Sequence, residues 1–347
     1  MKNDSNQFES SLLLCLQIVQ LVLEKQGEFL YLNQSAASPV VLTPLDQALM
    51  LDRSLIVHIA QFIHYPYNSE INLLSVRIVH LLSLRQDKHN KLVGVLHEAG
   101  QQRSMIAGYV EQLETEEEYQ PATLEDAMET ESAEQTPSEV REQDSRSVRM
   151  AILELMASEV NKPWPNLVHF LLGYDIQLPI RAGYQPDPTD QHRTLRTCLH
   201  AIVELFSDPE FIVHHPQLAE RCMHLLYAMS RDSTLSAMVM RYLKSPNTDF
   251  LRRQLHALER EVSATQHVAQ LNFRAWLLKT VALDLHTTAL SEQRTSNAAL
   301  LGLLFGNTVP EAGGEYNVCD RGVYLLITVQ MSVWTSSTTI TCCHKRE

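Results

Sequence analysis

Apolar residues spaced three and four apart recur through most of this chain, and that spacing leaves it little to fold into besides stacked amphipathic helices. In RTLRTCLHAIVELF, Leu195, Cys198, Leu199, Ile202 and Phe206 share one face, while Arg196, His200 and Glu204 fall between them. PQLAERCMHLLYAM repeats the pattern, followed by LSAMVMRYLK and PNTDFLRRQLHALE across short polar connections. Earlier, TPLDQALMLDRSLIVHIAQFIHY opens on Thr43 as a cap, with Pro44 at the first helical position, where a missing N–H costs nothing. Asn68 and Ser69 offer the next cap, ahead of Ile71, Leu74, Ile78, Leu81 and Leu82 on one face. In LNFRAWLLKTVALDLHTTAL, Leu271, Ala275, Leu278, Ala282, Leu285 and Ala289 form a stripe that Trp276, Leu277 and Leu283 widen. Asn272, Lys279, His286 and Gln293 form a polar line, so this spacing predicts Trp276 between helices and Lys279 in solvent.

Gly and Pro are scarce, 11 and 14 residues of 347, which suits long helices better than a turn-dense β fold. No repeat of fixed period is present, yet helix, short loop, helix recurs throughout. The reading is therefore all-α: an irregular α-solenoid of antiparallel helix pairs, each burying its face on the next, with a compact bundle as the alternative. Residues 1–110 form a first helical segment and residues 145–306 a second.

Between them, residues 111–144 carry thirteen acidic residues and one basic residue, Arg141, and so hold nearly all of the net charge of −13. With few large apolar residues, and Pro121 and Pro137 as breakers, this stretch reads as a disordered acidic linker. Thr136 before Pro137 reads either as a turn dipeptide or as a phosphorylation site. Residues 307–347 depart from the helical pattern: GVYLLITVQMSVWTSSTTITCC is β-prone and reads as a divergent tail.

Function classes narrow from here. The remainder of the chain is near neutral and has no basic stripe, so direct nucleic-acid binding is not expected. The flank of the N-terminal apolar stretch holds Lys2 against Asp4 and Glu9, unlike a signal peptide, and no unbroken apolar run approaches membrane length; membrane insertion is not expected. Of six cysteines, Cys15, Cys198 and Cys222 sit far apart in helical patterns and read as reduced thiols. Cys198 with His200, and Cys222 with His224, match no zinc spacing, and Cys342, Cys343 and His344 lie too close to the end of the sequence to form a complete site; no metal is expected. Nucleophile elbows and phosphate-binding glycine loops are missing, so neither catalytic residues nor a cofactor are expected.

Six collinear segments carry a resemblance: KLVGVLHEAGQQRSMIAGYVEQL, NLVHFLLGYDI, RTCLHAIVELF, HPQLAERCMHLLYAM, MRYLKSPNTDFLRRQL and LNFRAWLLKTVALDLHTTALSEQR. Together they resemble the largest inner-ring scaffold nucleoporins of the nuclear pore complex, over roughly residues 89–305. The resemblance implies a large α-solenoid that builds the inner ring at the nuclear envelope. It implies binding to linker nucleoporins and to coiled-coil channel nucleoporins, without catalysis. Its extent implies an internal section or shortened form, with apolar surface left exposed around Leu300 to Phe305. The one Phe-Gly dipeptide, Phe305-Gly306, fits a frame protein and not a barrier protein. The alternative is a soluble solenoid transport receptor or cargo adaptor. No partner-binding residue is assigned by the resemblance.

Overall fold

The computed structural model describes residues 2–35, 42–85, 89–115, 147–177, 195–208, 210–260, 268–288 and residue 300. Among the described residues there are fourteen α-helices, one 3-10 turn and no strand, so the all-α reading holds. The first group is α1 (Lys2–Gln34), α2 (Leu45–Leu51), α3 (Arg53–Gln61), the 3-10 turn (Phe62–His64), α4 (Ser69–Ser83), α5 (His89–Glu98) and α6 (Gln102–Glu114). The second is α7 (Val148–Glu159), α8 (Leu167–Leu171), α9 (Cys198–Leu205), α10 (Phe211–His214), α11 (Pro216–Arg231), α12 (Ser236–Leu243), α13 (Phe250–Arg260) and α14 (Val268–Thr288). Leu300 is described alone and is buried, against the exposure expected around Leu300 to Phe305; residues 301–305 lie outside the described residues, as do residues 116–144 and 307–347. Because α6 runs to Glu114, the acidic stretch begins inside a helix.

Five helices stack in a row. α4 lies between α1 and α7, α7 between α4 and α11, and α11 between α7 and α14. A second layer places the 3-10 turn and α9 against α6, with α8 against α5 and α6. One apolar core runs through both layers, so the helices on either side of the acidic stretch share it.

Local chemistry starts the helices where side chains satisfy free N–H groups. Asn68 Oδ1 accepts the N–H of Glu70 at 2.9 Å, and Asn68 Nδ2 donates to Glu9 Oε1 of α1 at 2.9 Å, so one residue caps α4 and fastens its neighbour. The cap expected at Thr43 falls one residue later: Pro44 holds the cap position, and its carbonyl accepts the N–H groups of Gln47 and Ala48. The following stretch then breaks at Asp52, whose carboxylate accepts the Leu55 N–H and the Ser54 hydroxyl and so opens α3 as a separate helix. On α9, the N–H of Thr197 donates to His200 Nδ1, which starts the helix at Cys198 instead of further upstream.

The middle of the row keeps only a narrow outer strip around exposed Glu154. On α7, Ile152, Leu153, Leu155 and Met156 are buried, and so are Arg149 and Glu159. Glu159 is met by Lys162 Nζ, which also donates to the Ser83 carbonyl at the end of α4 at 2.7 Å. Arg149 donates to the Thr115 carbonyl after α6. His80 of α4 meets Ser158 Oγ at 3.0 Å; burial holds its imidazole below the usual range, with Glu159 and Glu154 opposing. Arg149 is thus met by the carbonyl after α6, and Glu159 by a lysine just beyond its own helix that also reaches α4.

α14 corrects the expected stripe. Phe273, Leu277, Thr280, Val281 and Asp284 are buried, whereas Leu271 is 48% exposed and Ala282 is exposed. Two buried polar residues displaced the reading: Thr280 donates to the Trp276 carbonyl within its helix, and Asp284 pairs with Lys244 Nζ at 3.0 Å. Trp276 is half-buried at the surface, with Lys279 Nζ 3.9 Å from its ring centroid, so Lys279 is not a free solvent residue.

Membrane length needs the same correction. Gln7–Gln34 of α1 is long and apolar enough to cross a membrane by length and composition alone, at mean hydropathy 1.2; its apolar residues are interspersed with glutamines, so no unbroken run reveals it.

Two comparisons test the packing. Phe273→Ala should cost about 3–5 kcal/mol and Leu271→Ala under about 1 kcal/mol, read by chemical denaturation. A Cβ at Gly108 would stand 2.7 Å from His64 Cε1 and 2.8 Å from Ile63 Cγ2, whereas one at Gly94 meets nothing within 4 Å. Gly108→Ala should therefore destabilise by roughly 1–3 kcal/mol through overpacking, although alanine is the better helix former, while Gly94→Ala should stabilise by about 0.5–1 kcal/mol.

Candidate protein-docking surface

α1 is apolar on two sides. Leu16 and Leu23 are buried and Leu12, Leu13 and Val19 pack beside them, forming the inner face. Gln17 Nε2 donates to Glu70 Oε1 at 2.9 Å, which adds to the Glu9–Asn68 bond and seats the helix on α4. On the opposite side lie Leu14, Ile18, Leu21, Val22, Phe29 and Leu32, from 41% exposed at Val22 to 66% at Leu32. Positions 14, 18, 21, 25 and 32 advance by whole helical turns, so these side chains form a stripe and not scattered contacts. Lys25 sits within it, 3.4 Å from Glu28, and exposed Cys15 lies beside it.

A stripe of this kind is uncommon on the surface of a folded protein, which makes it the candidate contact surface. A lipid surface fits it poorly. Helices that lie in a membrane interface carry Lys and Arg on their polar side, whereas this one carries Glu9, Glu24 and Glu28 against Lys25, and its inner side is hydrogen-bonded to α4. The arrangement suits another protein's helix.

A second surface feature is already self-occupied. Trp276 donates from Nε1 to Glu220 Oε1 at 3.0 Å and stacks on His224 and Tyr227 at 4.4 and 5.3 Å between centroids, with Lys279 over its ring. Burial lowers the His224 imidazole, opposed by Glu220, and burial lowers Lys279. A shallow hollow at the end of α6 includes Glu114, Leu195 and Arg196, but Arg196 already binds Glu114 and Glu204.

The cysteine and histidine candidates are placed apart in role. Cys198 and Cys222 are fully buried; burial pushes the Cys198 thiol up to about 12 and raises Cys222 as well. His200 accepts from the Thr197 N–H, and His224 stacks on Trp276. Among the described residues no group of three or more His, Cys, Asp or Glu is arranged to hold a metal ion. Cys15, read from the sequence as one of three thiols in helical patterns, proves exposed. The α1 stripe escaped sequence reading because an apolar helix normally implies burial, although its spacing was visible.

The chain matches the family model described as "Nuclear pore complex scaffold, nucleoporins 186/192/205" over residues 1–337. It is 29% identical over 324 residues to nuclear pore complex protein Nup205 of Homo sapiens, covering 88% of this chain and 16% of that protein. It is 27% identical over 316 residues to nuclear pore complex protein NUP205 of Arabidopsis thaliana, with coverages of 88% and 16%. Nuclear pore complex protein Nup205 of Drosophila melanogaster aligns at 27% identity over 172 residues, 46% of this chain and 8% of that protein. The chain therefore spans 16% of the length of the human and Arabidopsis relatives it matches.

Alkylation of the native chain at pH 8, read by peptide mass spectrometry, should label Cys15 quickly and leave Cys198 and Cys222 unmodified until denaturant is added, since only a thiolate reacts. Ile18→Ser with Leu21→Ser should change stability by under about 0.5 kcal/mol and reduce binding of a hydrophobic dye.

Proposed function

The chain belongs to the family of nuclear pore complex scaffold nucleoporins 186/192/205, and from that premise we propose that it is a structural, non-catalytic component of the inner ring of the nuclear pore complex. In that role it sits at the nuclear envelope and supports nucleocytoplasmic transport by holding other nucleoporins, linker and coiled-coil channel nucleoporins among them. The observation that carries the reading is the family match across residues 1–337, which takes in every helix of the stacked row. The fold is consistent with the role. A row of helices packed flank to flank resists bending through its core and leaves surfaces free along its length. The outward stripe of α1 is the surface such a scaffold would offer to a neighbour.

A tagged full chain expressed in cells should collect at the nuclear rim, exchange slowly there after photobleaching, and recover other nucleoporins on affinity capture. Exchange within seconds would replace the scaffold reading with that of a soluble transport receptor. Capture of no nucleoporin would contradict both. In the Ile18→Ser, Leu21→Ser variant, recovery should fall several-fold while helix content stays unchanged.

A further inference from the structure

The loop ahead of α8 meets the turn between α11 and α12 through a chain of short polar contacts. Asn166 Oδ1 lies 2.7 Å from His169 Nδ1, His169 Nε2 lies 2.8 Å from Thr234 Oγ1, and Thr234 Oγ1 lies 2.5 Å from Asp232 Oδ1. Asn166 and His169 are buried. The amide of Asn166 cannot be turned round, because its Nδ2 donates to the Lys162 carbonyl at 2.8 Å and its Oδ1 accepts the His169 backbone N–H at 3.1 Å. His169 Nδ1 must therefore donate. Asp232 Oδ1 is fixed as an acceptor by the backbone N–H groups of Thr234 and Leu235 at 2.8 and 3.1 Å, and it takes the Thr234 hydroxyl hydrogen. His169 Nε2 must then donate as well. Three contacts need three hydrogens, whereas a neutral imidazole and one hydroxyl carry two.

We infer that the chain of Asn166, His169, Thr234 and Asp232 holds one proton more than a neutral imidazole and a carboxylate supply, which makes this junction a clasp that closes on a proton and loosens as pH rises. The clasp ties the layer of α6 and α8 to the row containing α11, since Gln102 Nε2 of α6 also donates to the carbonyls of Phe170 and Tyr174 at 3.1 Å. Trp164 and Tyr174 stand edge-on to the His169 ring at 4.5 and 5.3 Å, and the Tyr174 hydroxyl donates to the Thr234 carbonyl at 3.4 Å. Asp232 is the charged group that acts on His169, and Arg241 of α12 acts on Tyr174 beside it. Burial, with Asp232 opposing it, pushes the imidazole down to about 4. Against that cost stands a nitrogen lone pair facing an oxygen at 2.7 or 2.8 Å in a closed site, which the third hydrogen removes.

The two protonation states give opposite signs. An unfolded imidazole loses its proton near about 6.5. A folded chain that keeps it above that pH binds more protons than the unfolded one, so the clasp's contribution is complete below about 6.5 and is lost as pH rises. A neutral buried imidazole would reverse this, its contribution fading as pH falls from about 6.5 towards 4.

Thermal unfolding of the full chain and of His169→Gln between pH 5.5 and 8.5 decides between them. The gap in Tm should be widest at pH 5.5 and shrink by several degrees towards pH 8.5. A gap that widens with pH, or that does not change, overturns the inference. Should His169→Gln fail to fold, nitrogen-15 NMR of the assigned His169 ring in the native chain at pH 7 gives the answer directly. Protons on both ring nitrogens support the clasp, and one bare nitrogen overturns it.

Discussion

Helix α7 is the element on which the rest of the stack depends, because apart from exposed Glu154 and half-buried Ala157 and Ser158 it faces other helices. Flanked by α4 and α11, it buries Ile152, Leu153, Leu155 and Met156 together with Arg149 and Glu159. A helix apolar on most of its circumference can be stable in water only when other helices cover it. The charges at its two ends bind the neighbouring elements: Arg149 reaches the carbonyl after α6, and Glu159 holds Lys162, which reaches the carbonyl at the end of α4. Burying them unanswered would destabilise the fold, so these contacts specify where α7 sits as well as holding it.

From that middle helix the row extends in both directions by the same means, and its edges explain its surfaces. α14, at one edge, is backed by α11 and α13 and turns a half-buried aromatic cluster outward, closed by its own Lys279. α1, at the other, is backed by α4 and α2 and keeps an apolar stripe that nothing described covers. A frame protein of this family works by contact, and an exposed stripe on a helix whose far side is hydrogen-bonded in place joins the two requirements: an attractive surface and a rigid mount.

Much of this was legible in the sequence, and the failures have specific causes. Asn68 announced its helix because a side-chain acceptor ahead of an apolar period has few other uses, and Pro216 stands at the start of α11, where a missing N–H costs nothing. The stripe on α9 was read correctly from Cys198, Leu199 and Ile202, all buried. On α14 the periodicity pointed to Leu271 and Ala282 instead, because the true inner face contains Thr280 and Asp284, whose partners are a carbonyl one turn back and Lys244 forty positions away. Short-range spacing cannot show a partner at that distance. The outward stripe was hidden for the opposite reason: α1 has more apolar residues than α4 and α2 cover, and composition alone does not say which side stays wet. The polar chain through His169 left no sequence signature at all, since it joins the start of α8 to a turn 65 residues away.

Hydrogen–deuterium exchange of the full chain tests most directly whether one continuous row, centred on α7, holds the molecule together. Amides of α4, α7 and α11 should exchange most slowly and with a shared free energy of opening, and those of α1 should exchange faster because one of its sides is open. Rapid exchange in α7, or separate opening energies for the helices before and after the acidic stretch, would contradict a shared core.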